Sequence, residues 1–101
     1  MVIESAQLPI TAGREEEFEQ AMAERGREIL ENSLGSGRVM IARGVENPSM
    51  YVLLIEWESV EKHQKAMEEP AFSEFRDMVV SFYDGKATVQ HFTTLQGGGL
   101  G

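Results

Sequence analysis

Residues 51–75 read YVLLIEWESVEKHQKAMEEPAFSEF, and their reading decides the fold. The opening run, from Tyr51 to Trp57, is apolar but for Glu56 and rich in β-branched and aromatic side chains, as a buried strand requires. Ser59 then stands where a helix cap belongs, with Glu61 in the first turn that follows. Val60, His63 and Met67 share one face of that helix by their spacing. Pro70 restarts the chain at a first-turn position, where its missing N–H leaves nothing unsatisfied. Phe72, Phe75, Met78, Val79 and Phe82 form the apolar stripe of the helical segment it opens.

Working outward, residues 2–8 alternate loosely and read as a first strand, with Pro9 as its limit because proline donates nothing to a ladder. Thr11 reads as the cap of a helix that carries Glu15, Glu16 and Glu17 in its first turn, where the macrodipole is positive. That helix spans about 14–33, with Phe18, Met22, the aliphatic stem of Arg25, Ile29 and Leu30 on its apolar face. Gly35-Ser36-Gly37 ends it. Residues 38–45 form a second strand, and the short turn at Glu46-Asn47-Pro48-Ser49 joins it to strand 50–57 as an antiparallel hairpin. After a turn at Asp84-Gly85, residues 86–95 alternate as a fourth strand. Residues 1–95 make one domain, and the glycine-rich residues 96–101 are expected to be a disordered tail.

The order is βαββαβ. It predicts an α+β fold of the ferredoxin-like, split-βαβ kind: a four-stranded antiparallel sheet with helices on one face. The third strand is so continuously apolar that both its faces call for cover. Helices cover only one, so a second copy of the chain is expected on the other, giving a homodimer.

Composition excludes several classes. The chain has 101 residues, with 17 acidic and 9 basic, for a net charge of −8. Nucleic acids and anionic membranes need a basic footprint, so neither is an expected partner. No run approaches the ~18 apolar residues of a membrane span, and the N-terminal residues lack the features of a signal peptide. There is no Cys, hence no disulfide and no thiol chemistry, which fits a cytoplasmic protein. With two His and no ligand spacing, no metal site is expected. No phosphate loop is present either, because Gly35-Ser36-Gly37 precedes a strand rather than a helix.

Three segments, Ala12-Gly13-Arg14-Glu15-Glu16-Glu17-Phe18, Ile55-Glu56-Trp57-Glu58-Ser59 and Pro70-Ala71-Phe72, resemble the antibiotic biosynthesis monooxygenase family. The resemblance extends over roughly residues 2–95. It implies a dimeric α+β barrel and relatives that include cofactor-independent oxygenases and heme-degrading enzymes. Relatives often carry His at the positions held here by Ala66 and Ala71. The heme-degrading branch relies on an Asn, a Trp and a His where this chain resembles it only in outline, with Ala6, Ala66 and Arg76. Heme chemistry is therefore the lowest-ranked reading.

Two readings of function remain. The first is a monooxygenase that needs no cofactor and acts on an aromatic phenol, quinol or polyketide-like molecule. The second is a non-catalytic binding or assembly module on the same dimeric barrel. On the first reading His63 is the candidate base, because removing a phenolic or carbon-bound proton leaves an anion that reacts with O₂ directly. On the second it is a buried, hydrogen-bonded structural His. Trp57, Phe72, Phe75, Met40, Ala6 and Arg76 are the candidate substrate-binding residues. Trp57 offers a flat face and an N–H, the phenylalanines and Met40 apolar wall, and Arg76 a partner for a carboxylate or phenolate. As plain architecture the same residues are core or solvated surface. His91 alternates with Val89 on the fourth strand, its face unassigned. Glu4 reads either as a buried acid or as an edge contact.

Overall fold

The computed structural model describes residues 1–97. Residues 98–101, most of the stretch expected to be a disordered tail, lie outside the described residues. The strands are β1 (Val2–Pro9), β2 (Ser36–Arg43), β3 (Met50–Trp57) and β4 (Thr88–Thr93). They form one antiparallel sheet in the order β2-β3-β1-β4. Between β1 and β2 lie α1 (Glu15–Ala21), a π-helical turn (Met22–Gly26) and α2 (Arg27–Glu31), continuous with one another. Between β3 and β4 lie α3 (Val60–Ala66) and α4 (Pro70–Val80). This is the ferredoxin-like α+β architecture expected from the element order.

Local details differ from expectation for identifiable reasons. Pro9 is the last residue of β1 and not a break before it. It pairs with Met50, and on its other side, beyond the end of β4, its carbonyl accepts from the Asp84 N–H at 2.8 Å. Thr11 does not cap the first helix. Its hydroxyl donates to the Phe82 carbonyl at 2.9 Å and ties the loop to the end of α4. The helix begins instead behind Arg14, and the Gly13 N–H donates to the Glu15 carboxylate at 2.8 Å. The π-helical turn ends at Gly26, which packs against Met22 and Met78. A Cβ there would come within 2.7 Å of the Met22 sulfur, so the flexible end of that side chain would have to shift. Ser59 caps α3 as expected, accepting from the Lys62 N–H at 3.1 Å, and Pro70 opens α4.

Strand β3 alternates. Tyr51, Leu53, Ile55 and Trp57 are buried against the helices, while Val52 and Leu54 are half-buried on the opposite face. The expectation of two buried faces therefore holds for only one face of the single chain. The open face joins Val52 and Leu54 to Ile3, Met40 and Phe92 through the strand register, and both Met40 and Phe92 are exposed. Glu56 also belongs to this face. It is buried there, with its Oε1 accepting from the Arg38 N–H at 3.0 Å.

Candidate functional site

Strand parity builds the site. Side chains two apart share a face, and Ala6 and Leu8 are buried beneath the helices. Glu4 shares their face, so its carboxyl group is carried inward and is only 6% exposed. Pairing between β1 and β4 then sets His91 opposite Glu4 and Val89 opposite Ala6. On the other side, β3 ends with Trp57. Helix α3 starts at the Ser59 cap, and its first turn lowers His63 onto the indole.

The four side chains form a continuous polar line. The Trp57 Nε1–H donates to Glu4 Oε1 at 2.9 Å. His63 Nε2 lies 3.2 Å from the same oxygen. His63 Nδ1 lies 2.7 Å from His91 Nε2. The His63 ring stacks on Trp57 at 4.7 Å between centroids and 17° between planes. Trp57 is 0% exposed and His63 3% exposed. The indole N–H can only donate, so Glu4 Oε1 is an acceptor. By this inference His63 carries its proton on Nε2, toward Glu4. His63 Nδ1 is then the acceptor of the His91 Nε2–H, which leaves His91 Nδ1 with the outermost lone pair of the line.

Burial disfavours charge on both inner groups. It pushes the Glu4 carboxyl above its ordinary range, and the Trp57 hydrogen bond partly offsets this. It lowers His63 to about 4, helped by repulsion from His91. His63 is thus a neutral imidazole near pH 7, held by Trp57 and Glu4. His91 is exposed at the surface of the sheet's helix side.

His91 and His63 border a cavity of about 360 Å³ between sheet and helices. Its floor is Ala6, Leu8 and Leu53, its far end is Tyr83 and Ala87, and Phe72, Phe75, Arg76 and Val79 of α4 form its roof. Burial raises the Tyr83 phenol, with a further push from Glu4, so it remains a neutral donor at this far end.

The candidate residues His63, Phe72, Phe75, Ala6 and Arg76 are brought together around this cavity. Trp57 and Met40 are not. Trp57 sits behind His63 and supports it, since its indole N–H is spent on Glu4. Met40 borders a separate open groove of about 560 Å³ along β2, shared with Met22, Arg43 and Tyr51. Ala66 is core and Ala71 half-buried, and neither borders the cavity. Beyond the candidate set, the cavity wall includes Glu4, His91 and Tyr83. Glu4 had a signal in the sequence, since its parity with Ala6 and Leu8 points it inward. His91 had none until the β1–β4 register was known.

An open antiparallel sheet with its helices on one face and an apolar cavity between the layers defines an α+β protein of the ferredoxin-like kind. The model of the family "Antibiotic biosynthesis monooxygenase" matches residues 1–78, and the chain belongs to that family. An uncharacterized Bacillus subtilis (strain 168) protein, YczJ, is 32% identical over 93 residues, which is 91% of this chain and 97% of that one. Among solved structures, a candidate antibiotic biosynthesis monooxygenase of Bordetella bronchiseptica superposes with a TM-score of 0.88 at 27% identity, over 94% of this chain and 97% of that one. SnoaB of Streptomyces nogalater, a cofactor-independent oxygenase solved as a variant, superposes with a TM-score of 0.82 at 20% identity, over 95% and 94% of the two chains, and shares the fold. No helix among the described residues is long and apolar enough to cross a membrane.

Proposed function

We propose that the protein is a cofactor-independent monooxygenase acting on an electron-rich aromatic molecule, a phenol, quinol or polyketide-like compound bound in the helix–sheet cavity. One observation carries this reading: the Glu4–His63–His91 line ends in a free imidazole nitrogen at the wall of an otherwise largely apolar cavity. His91 takes a proton from the substrate on Nδ1 while its Nε2–H stays donated to His63 Nδ1, so the buried His63 remains neutral. Glu4 Oε1 faces His63 Nε2 and so keeps His63 Nδ1 turned to His91 as the acceptor. The substrate carbanion or phenolate gives one electron to O₂, and the radical pair joins as a peroxide. His91 returns the first proton to the peroxide; loss of a second proton from the same carbon then forms the C=O and breaks the O–O bond, and the departing hydroxide takes that proton as water. For a reactive methylene the balance is R₂CH₂ + O₂ → R₂C=O + H₂O, and no further reductant is required. His63 stays behind His91 as a positioning residue, and Phe72, Phe75 and Ala6 exclude water from the anion.

The test is oxygen uptake with anthrone or a naphthohydroquinone, corrected for spontaneous oxidation. One O₂ per product is expected, and His91→Ala should lower the rate roughly 10²–10⁴-fold. Uptake no faster than the spontaneous reaction would overturn the proposal, as would an unchanged rate in His91→Ala. The non-catalytic reading rests on the family resemblance, which implies His at the positions held here by Ala66 and Ala71. Tight aromatic binding without uptake would establish it.

We also infer a homodimer built on the open face of the sheet, where Ile3, Val52, Leu54, Met40 and Phe92 leave an apolar surface. Sedimentation equilibrium at micromolar concentration should give twice the chain mass, and Leu54→Glu should halve it.

A further inference from the structure

The cavity roof holds one cation. Arg76 projects from α4 at an exposed position and borders the cavity beside Phe72 and Phe75. Its guanidinium carbon lies 6.0 Å from the Phe72 ring centroid, close enough for the ring face to steady it. Its neighbours in charge are differently placed. Arg14 pairs with Glu17, Arg25 with Glu74, Arg27 with Glu31 and Arg43 with Glu19. Arg38 has a partner as well. Among the described residues Arg76 alone of the arginines makes no hydrogen bond or ion pair, in a chain where acids outnumber bases 17 to 9. A guanidinium left unpaired amid so many carboxylates, at the rim of an apolar cavity, is placed for an anion from outside the chain.

Resting on the cavity as the substrate site, we propose that Arg76 selects aromatic ligands bearing a carboxylate, which the planar guanidinium can hold through two N–H donors. The aromatic body enters between Phe72, Phe75 and the Ala6–Leu8 floor, and the carboxylate stays at the mouth against Arg76. Glu4, the one acid on the wall, is enclosed by Trp57 and His63, so it opposes such a ligand little. This orientation turns the ring system toward His91 and gives the site a fixed reading direction.

The test needs no turnover. Calorimetric binding of 2-naphthoate is compared with binding of 2-naphthamide, its neutral counterpart of the same shape. The wild type should prefer the carboxylate roughly tenfold at low ionic strength, and the preference should shrink as salt rises. Arg76→Gln should abolish the preference while leaving the amide unchanged, and Arg76→Lys should keep only part of it. Equal affinities in the wild type, equal losses for both probes in Arg76→Gln, or no binding of either probe would each overturn the proposal. Charge-selective binding without oxygen uptake would instead sink the oxygenase reading and leave Arg76 in its role.

Discussion

Acid should destabilise the protein through His63. Its ring is 3% exposed, stacked on Trp57 and 2.7 Å from a His91 nitrogen. Burial, then repulsion from His91, hold its pKa at about 4, whereas an unfolded chain offers the ordinary 6.5. The folded value lies below the unfolded one. Between these limits the unfolded chain therefore binds a proton that the folded chain refuses. The contribution of His63 to stability is whole above pH 6.5 and is lost as pH falls to about 4. A gap of about 2.5, at about 1.4 kcal/mol per pH unit, comes to about 3 to 4 kcal/mol at most. That is a large share of the roughly 5–15 kcal/mol that stabilises a domain. Glu4 acts in the opposite sense. Its raised pKa makes the folded chain take up a proton first, so it adds stability as pH falls toward 4.5. Urea unfolding followed by Trp57 fluorescence, at half-unit steps from pH 7.5 to 4.5, separates the two. Wild type should lose stability more slowly than Glu4→Gln as the pH falls, because the variant keeps only the His63 slope. An NMR titration of the His63 ring supplies the direct measurement. A midpoint at or above 6.5 would refute the reasoning, since it would mean that the Glu4 contact outweighs burial.

Other perturbations have expected sizes. Trp57→Phe keeps an aromatic face under His63 but removes the N–H held by Glu4. It should cost roughly 1–3 kcal/mol in urea melts and raise the Glu4 pKa further, read by carboxyl NMR. Gly35→Ala should cost about 1–2 kcal/mol, because Gly35 has φ +89° and a Cβ would meet Lys62 Cβ at 2.9 Å. Ala6→Leu should fill the cavity floor. Binding of aromatic ligands should fall at least tenfold by calorimetry while thermal stability is kept, because the added methyls enter existing space.

The fold was legible because local and global signals agree. The Ser59 cap, the Pro70 restart and the Gly35 turn each fix one boundary by backbone chemistry, and the continuous apolar run of β3 marks it as a strand, though not which of its faces is buried. What strayed was decided by tertiary contact. Thr11 has cap chemistry, yet the Phe82 carbonyl competes for its hydroxyl and wins, a choice invisible without knowing that α4 ends beside it. Pro9 reads as the limit of the first strand, yet pairing with Met50 takes it into β1, and its carbonyl meets the Asp84 N–H on the other side.

The site was legible in proportion to how local its geometry is. His63 announces itself by sharing a helix face with Val60 and Met67. Its partners arrive from residues 4, 57 and 91, and only sheet register joins those. Glu4 still left a physical trace: an acid in phase with Ala6 and Leu8 must be buried, and a buried acid must have donors. The donors available to a strand neighbour are few, and Trp57, at the end of the adjoining strand, is one of them. A second donor must come from above the sheet, where α3 offers His63. The acid on β1 therefore demands the histidine on α3. Once that histidine's inner nitrogen is committed to Glu4, its outer nitrogen needs a partner of its own. The residue across from Glu4 on β4 is His91, so the register that completes the sheet also supplies the group that faces the cavity.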